Sequence, residues 1–140
     1  MKKIFKFLLY LLPWFLSSVV IKVDTSFYES LKKPFFAPSP IVFGIVWTIL
    51  YLLIAICLYK NETKTLDYYK SLIINYFSNQ IFTFLFFVIK SPFIAFVDSI
   101  IVFISSLFLY NEIKKKLLLP YIIWNLYAVI LSLSIYLLNL

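Results

Sequence analysis

Histidine is missing from the 140 residues, and cysteine, methionine and glycine occur once each. Without histidine the chain lacks the commonest metal ligand, the usual axial haem ligand and the side chain that titrates nearest neutrality. Serine–histidine and cysteine–histidine catalysis are therefore excluded outright. The lone Cys57 lies inside an apolar run, which rules out an intramolecular disulfide or a multi-cysteine metal site and leaves inert packing as its expected role. Acidic residues are scarce too, with 6 Asp and Glu against 13 basic residues, for a net charge of +7.

What remains is mostly oil. Hydrophobic residues make up 64% of the chain and charged ones 14%, far outside the usual range of a water-soluble domain. Stretches such as Ile41 to Tyr59 and Leu117 to Leu138 carry no charge from which a polar exterior could be built, so lipid must serve as the outer solvent. The lysines cluster at the ends of apolar stretches, where snorkelling and anionic headgroups account for them. No basic face is left for nucleic acid.

A hydrocarbon core about 30 Å thick needs roughly 20 helical residues. Five segments reach that length, near residues 5–21, 41–59, 69–89, 93–110 and 117–138. The basic, apolar start resembles a signal peptide but is read as a retained first span. Continuous apolar runs without ten-residue alternation exclude a β-barrel. The expected fold class is all-α, a five-helix integral membrane bundle, and the absence of repeats or composition breaks favours one domain over residues 1–140. Nine lysines fall on the side of the N-terminus and four on the other (Lys22, Lys32, Lys33, Lys90), so the positive-inside rule expects a cytoplasmic N-terminus in a multi-pass protein of a bacterial cell membrane. The loop over residues 22–40 then lies outside. Its core, FYESLKKPFFAPSP from Phe27 to Pro40, is stiffened by three prolines and reads either as a lid or as an interfacial aromatic belt. Pro13 is placed to kink the first span, and Trp14 beside it reads as an interfacial anchor.

Polar residues inside apolar runs are the informative ones, because lipid penalises them. Asn75 and Asn79 are four apart in the third span, with Phe82 near the next turn, either for interhelical hydrogen bonds or as one wall of a cavity. Asp98 lies more than a turn inside the fourth span and should face the bundle, either paired or capped near Lys90 or presented to a ligand or proton. Trp47 and Tyr51 share one face of the second span, and Tyr121, Trp124, Ala128 and Ser132 one face of the fifth. If these stripes converge they wall a site for a flat apolar ligand; otherwise they are bundle core.

The segment YESLKKPFFAPSP followed by FGIVWTILY resembles the translocator protein family (TspO/MBR, tryptophan-rich sensory proteins), whose pattern is roughly WYxxLxKPxWxPP…VWtxLY. Downstream, NQIFTFLFF, AFVD and LLLPYIIWNLYA are similar to that family's LNxxWxxxFF, AxxD and LLxPYxxWxxxA, in order and register across almost the whole chain. The resemblance implies a five-helix bundle, commonly a homodimer, that binds porphyrins such as protoporphyrin IX and haem without a required cofactor or metal. It places Trp47, Tyr51, Asn79, Phe82, Asp98, Trp124 and Ala128 in a pocket under a lid containing Pro34 and Phe36. Departures are Phe36 and Phe82 where the family usually has tryptophan, Ser39 in place of the second proline, and Ser132 where many members have asparagine. No basic residue follows Tyr136 to close the family's proposed cholesterol motif, so cholesterol binding is not expected.

The leading functional expectation is a membrane binding protein for porphyrin-type ligands, in tetrapyrrole handling, transport or stress sensing. Acidic ligand groups would be drawn to Lys32 or Lys33. The alternatives are light- and oxygen-dependent porphyrin breakdown, with Trp47 and Trp124 as oxidisable candidates, and a small-molecule transporter or membrane interaction module.

Overall fold

The computed structural model describes residues 1–140 and is built from helices alone. Five helical segments are long and apolar enough to cross a bilayer: Lys2–Val20, Pro40–Tyr59, Leu66–Val88, Pro92–Ile113 and Lys116–Leu138. Large apolar residues such as Ile45, Ile73, Phe77, Phe108 and Ile123 stand exposed on the outer faces. Water would penalise that surface and acyl chains would not, so the chain is an integral, multi-pass membrane protein.

The spans agree with the expected ones in number and differ at their ends. The third, α5 (Leu66–Thr83, continued by one π-helical turn over Phe84–Val88), starts a turn earlier than expected. Thr65 caps it, its hydroxyl accepting from the Tyr68 amide at 3.1 Å, and Asp67 sits favourably in the first turn. The fourth, α6 (Pro92–Ile113), begins on a proline and runs through Asn111 and Glu112. Polar residues at these ends mark where lipid contact stops, not where the helix does. With one glycine in the chain, lysines take the left-handed backbone positions that end α5 and α6, at Lys90 (φ 57°) and Lys114 (φ 53°).

Pro13 breaks the first span rather than merely bending it. Helix α1 (Lys2–Leu11) gives way to a 3₁₀ turn, Leu12–Phe15, and resumes as the short α2 (Leu16–Val20). Backbone groups freed by the break would be costly in lipid, and the third span satisfies them. The Tyr76 hydroxyl donates to the Pro13 carbonyl (2.8 Å), while Gln80 donates to the Trp14 carbonyl (3.0 Å) and accepts from the Ser17 amide (2.9 Å). Accordingly α1 packs against the second span, α4 (Pro40–Tyr59), whereas α2 packs principally against α5. The break also turns Trp14 inward: it is 2% exposed and packs on Tyr76, Tyr51 and Tyr121, so it is a core residue and not the expected interfacial anchor. Replacing Gln80 by leucine removes its bonds to the Ser17 amide and Trp14 carbonyl; at about 0.6 kcal/mol for each interhelical bond we expect a loss of at least about 1 kcal/mol, read as a lower thermal midpoint in detergent.

After a short helix in the lid, α3 (Thr25–Ser30), the second span, α4, enters on Pro40. The fifth span joins a 3₁₀ turn, Lys116–Leu118, to α7 (Leu119–Leu138), with Pro120 in its first turn. Helices α5, α6 and α7 form the closely packed side of the bundle. One apolar cluster, around Trp14, Tyr51, Ile54, Leu109 and Tyr121, fills the end nearest the N-terminus; a second, around Tyr28, Phe86, Ala95, Leu131 and Ile135, lies beneath the lid.

Candidate ligand-binding cavity

Between the two clusters lies a cavity of about 360 Å³, within the range of small-molecule sites. Helix α4 contributes Phe43, Gly44, Trp47, Thr48 and Tyr51; α5 and its π turn contribute Asn79, Phe82, Thr83, Phe86 and Phe87. Helix α7 supplies Trp124, Asn125, Ala128 and Ser132 from one face, and Ser99 and Val102 of α6 complete the far wall. The i, i+4 spacing of Phe43, Trp47 and Tyr51, and of Trp124, Ala128 and Ser132, is what turns each row inward together. The two indoles meet edge to face, Trp47 and Trp124 lying 6.4 Å apart at 88°, and Trp124 also abuts Phe43 (6.1 Å) and Tyr127 (5.0 Å).

Six of the residues expected at the site, Trp47, Tyr51, Asn79, Phe82, Trp124 and Ala128, line this one cavity. Pro34, Phe36 and Asp98 do not. Phe36 rests on Tyr127, whose hydroxyl donates to its carbonyl at 2.8 Å, and the turn closed by the Ala37 amide on Pro34 (3.0 Å) stays with it. Asp98 is buried and accepts from the Ser78 hydroxyl, while its Oδ2 has no partner and its neighbour Ser99 takes the cavity position. Lys90 does not ease the Asp98 charge; it pairs with Asp24 at 3.2 Å.

Below the aromatic walls runs a polar network. Asn79 accepts from the Tyr51 hydroxyl (3.2 Å) and from Gln80 (3.1 Å), and donates to the hydroxyl of Tyr121 (3.3 Å). Tyr121 in turn donates to Asn75 (2.9 Å), which donates to Ser105 (3.0 Å) and the Val102 carbonyl (3.1 Å). Asn75 thus serves interhelical bonding and Asn79 serves both roles, bonding and cavity wall. Asn125, 1% exposed, lines the cavity with its Nδ2 unpartnered. It escaped the sequence reading because its neighbour Trp124 carried the motif; an amide in an otherwise apolar span was the available signal.

The lid is fastened at several points. Asn139, just past α7, donates to the Lys32 carbonyl (2.8 Å) and accepts from the Lys32 amide (3.0 Å). The Lys33 ammonium donates to the carbonyls of Tyr28 (2.8 Å), Leu31 (3.0 Å) and Glu29 (3.1 Å), so it caps α3 and is not free for an acidic ligand. Burial pushes the Tyr28 phenol up to about 12, which keeps it protonated as donor to the Pro38 carbonyl (2.8 Å). Asp24 caps α3 at the Phe27 amide (3.3 Å). Hydrogen bonds from Ser26, then Lys90 and Phe27, hold its carboxyl down at about 2. Because the free carboxyl titrates near 3.9, the latch is complete above about pH 4 and is lost as pH falls through about 2. Amide exchange in α3, corrected for its intrinsic pH dependence, should stay constant from pH 7 to about 4 and quicken below; Asn at position 24 should abolish that pH step.

A profile of the TspO/MBR family matches residues 6–138. The chain is 34% identical over 136 residues to the tryptophan-rich protein TspO of Bacillus cereus, covering 90% of this chain and 89% of that one. It is 35% identical over 127 residues to the tryptophan-rich protein TspO of Archaeoglobus fulgidus (81% and 80% covered). An uncharacterized membrane protein of Bacillus subtilis, YtaB, is 35% identical over 129 residues (84% and 83% covered).

Proposed function

Since the chain belongs to the TspO/MBR family of membrane proteins, we propose that its cavity binds porphyrin-type ligands, protoporphyrin IX or haem, for tetrapyrrole handling, transport or sensing. The observation that carries this reading is the set of converging aromatic walls: Trp47, Trp124, Phe43 and Phe82 around one cavity with few polar atoms, a surface suited to a flat conjugated ring. Asn79 and Asn125 supply the few convergent polar groups such sites use for orientation. With no histidine in the chain, recognition falls on the macrocycle rather than on a central metal. Lys22 and Lys32, exposed on the lid side, are the cations available to the ligand's acidic edge. Homodimerisation, implied by the family resemblance, and a cytoplasmic N-terminus belong to the same reading.

Titration of the detergent-purified protein with protoporphyrin IX, followed by tryptophan quenching, tests it. Saturable quenching at one site per chain is the expected result. Quenching that rises without saturation, as for non-specific partition into the micelle, would remove the porphyrin reading.

A further inference from the structure

We propose that the cavity fills sideways from the bilayer, through an opening between the first and second spans, and that its occupant is a flat amphiphile already dissolved in the leaflet on the lid's side. The proposal rests on the porphyrin reading for the ligand's identity but not for its route.

The exposed members of the cavity wall are Ser18, Val23, Thr25, Gly44 and Thr48. All five belong to the end of the first span, the segment just after it, or the first half of α4. Wall residues from α5, α6 and α7 are buried or half-buried throughout, so the cavity opens along the seam between the first two spans, up to the start of the lid at Val23 and Thr25. The cause is the break at Pro13: before it α1 packs on α4, and after it Gln80 draws α2 onto α5. The two spans separate there, and a Cβ built on Gly44 meets nothing within 4 Å.

The side facing water is closed by comparison. To open the lid, the bonds joining Lys32 to Asn139, Tyr127 to Phe36 and Lys90 to Asp24 must break. Sideways entry breaks none of them. Gly44 and Thr48 lie four and eight residues into α4 from Pro40, about 6 and 12 Å along its axis, while Val23 and Thr25 follow the end of the first span. The slot therefore runs from headgroup level into hydrocarbon. An apolar ring entering beside Phe43 and Trp47 leaves its acidic edge at the interface near Lys22, whereas a fully water-soluble ligand has no such path.

The test uses the full chain in phosphatidylcholine vesicles mixed with vesicles loaded with protoporphyrin IX, following tryptophan quenching. Gly44→Phe should slow association and dissociation together, about tenfold, because it narrows the route. Asn139→Ala, which loosens the lid, should leave both rates within about twofold of wild type. Faster exchange in Asn139→Ala with wild-type rates in Gly44→Phe would overturn the proposal. A second measurement needs no porphyrin: phospholipid brominated on its acyl chains should quench Trp47 and Trp124 in the wild type and much less in Gly44→Phe. Equal acyl-chain quenching in the two proteins also overturns the opening. If porphyrin fails to bind at all, that reading falls while acyl-chain quenching still decides the route.

Discussion

Trp124→Ala is expected to weaken protoporphyrin IX binding by about a hundredfold. The indole is the meeting point of the cavity's walls: it abuts Trp47 from α4, Phe43 a turn away on the same helix, and Tyr127 on its own helix. An indole offers roughly 150–250 Å² of contact, of which one face is available here. At about 25 cal/mol per Å², losing that face costs about 2–3 kcal/mol, and the edge-to-face pairing with Trp47 goes with it. Because Trp124 is half-buried and faces the cavity, truncation enlarges the site more than it unpacks the bundle. The comparison that gives the result its meaning is Phe36→Ala. Phe36 packs on Tyr127 and lies off the cavity wall, so its loss should change affinity by no more than about threefold. Equal, weak binding in wild type and Trp124→Ala would mean the aromatic cavity is not the site. A larger loss in Phe36→Ala would return the lid to the binding surface.

Features set by local pattern were legible in the residues; those set by pairing between distant helices were not. Five spans follow from run length alone, and the rows beginning at Trp47 and Trp124 follow from i, i+4 spacing once a spaced aromatic or small residue marks the face. Helix α4 shows where this stops. Its residues are apolar nearly all round, so nothing in its pattern tells Phe43, Gly44 and Thr48, which line the cavity, from Ile45 and Ile49, which face outward. The direction of Trp14 is not local: it is set by the 3₁₀ turn at Pro13, and that turn is stabilised by Gln80 and Tyr76, more than sixty residues away. The same separation hid the partner of Lys90. Proximity in sequence suggested Asp98, whereas the folded lid brings Asp24 to it. Phe36 matched a family position without reaching the cavity, because the Tyr127 hydroxyl holds its backbone against α7.

The largest stability loss is expected at Asn75, which no solvent reaches and which ties three helices together. Its amide donates to the Val102 carbonyl and the Ser105 hydroxyl on α6, and its carbonyl accepts from the Tyr121 hydroxyl on α7. Leucine shares its branched skeleton and belongs in lipid-like surroundings, so Asn75→Leu keeps the side chain's shape, although its two methyl groups are bulkier than the amide oxygen and nitrogen and add a small overpacking cost at this fully buried position. The larger penalty comes from what is left behind. Ser105 keeps its own bond to the Val102 carbonyl (3.1 Å), but the Tyr121 hydroxyl, on a side chain that is fully buried, loses its acceptor. A stranded buried donor costs about 1–3 kcal/mol, and the two lost bonds to α6 add about 0.6 kcal/mol each, giving a destabilisation of about 2–4 kcal/mol. Tyr121→Phe alone should cost less, because Asn75 and Asn79 on the same face can then turn their amides toward each other. The double variant Asn75→Leu/Tyr121→Phe removes donor and acceptor together, so the costs should fail to add by about 1–2 kcal/mol. Reversible unfolding in mixed micelles measures all four corners of that cycle. Strict additivity would mean that the Tyr121–Asn75 bond contributes nothing, and that packing alone holds α7 against α5.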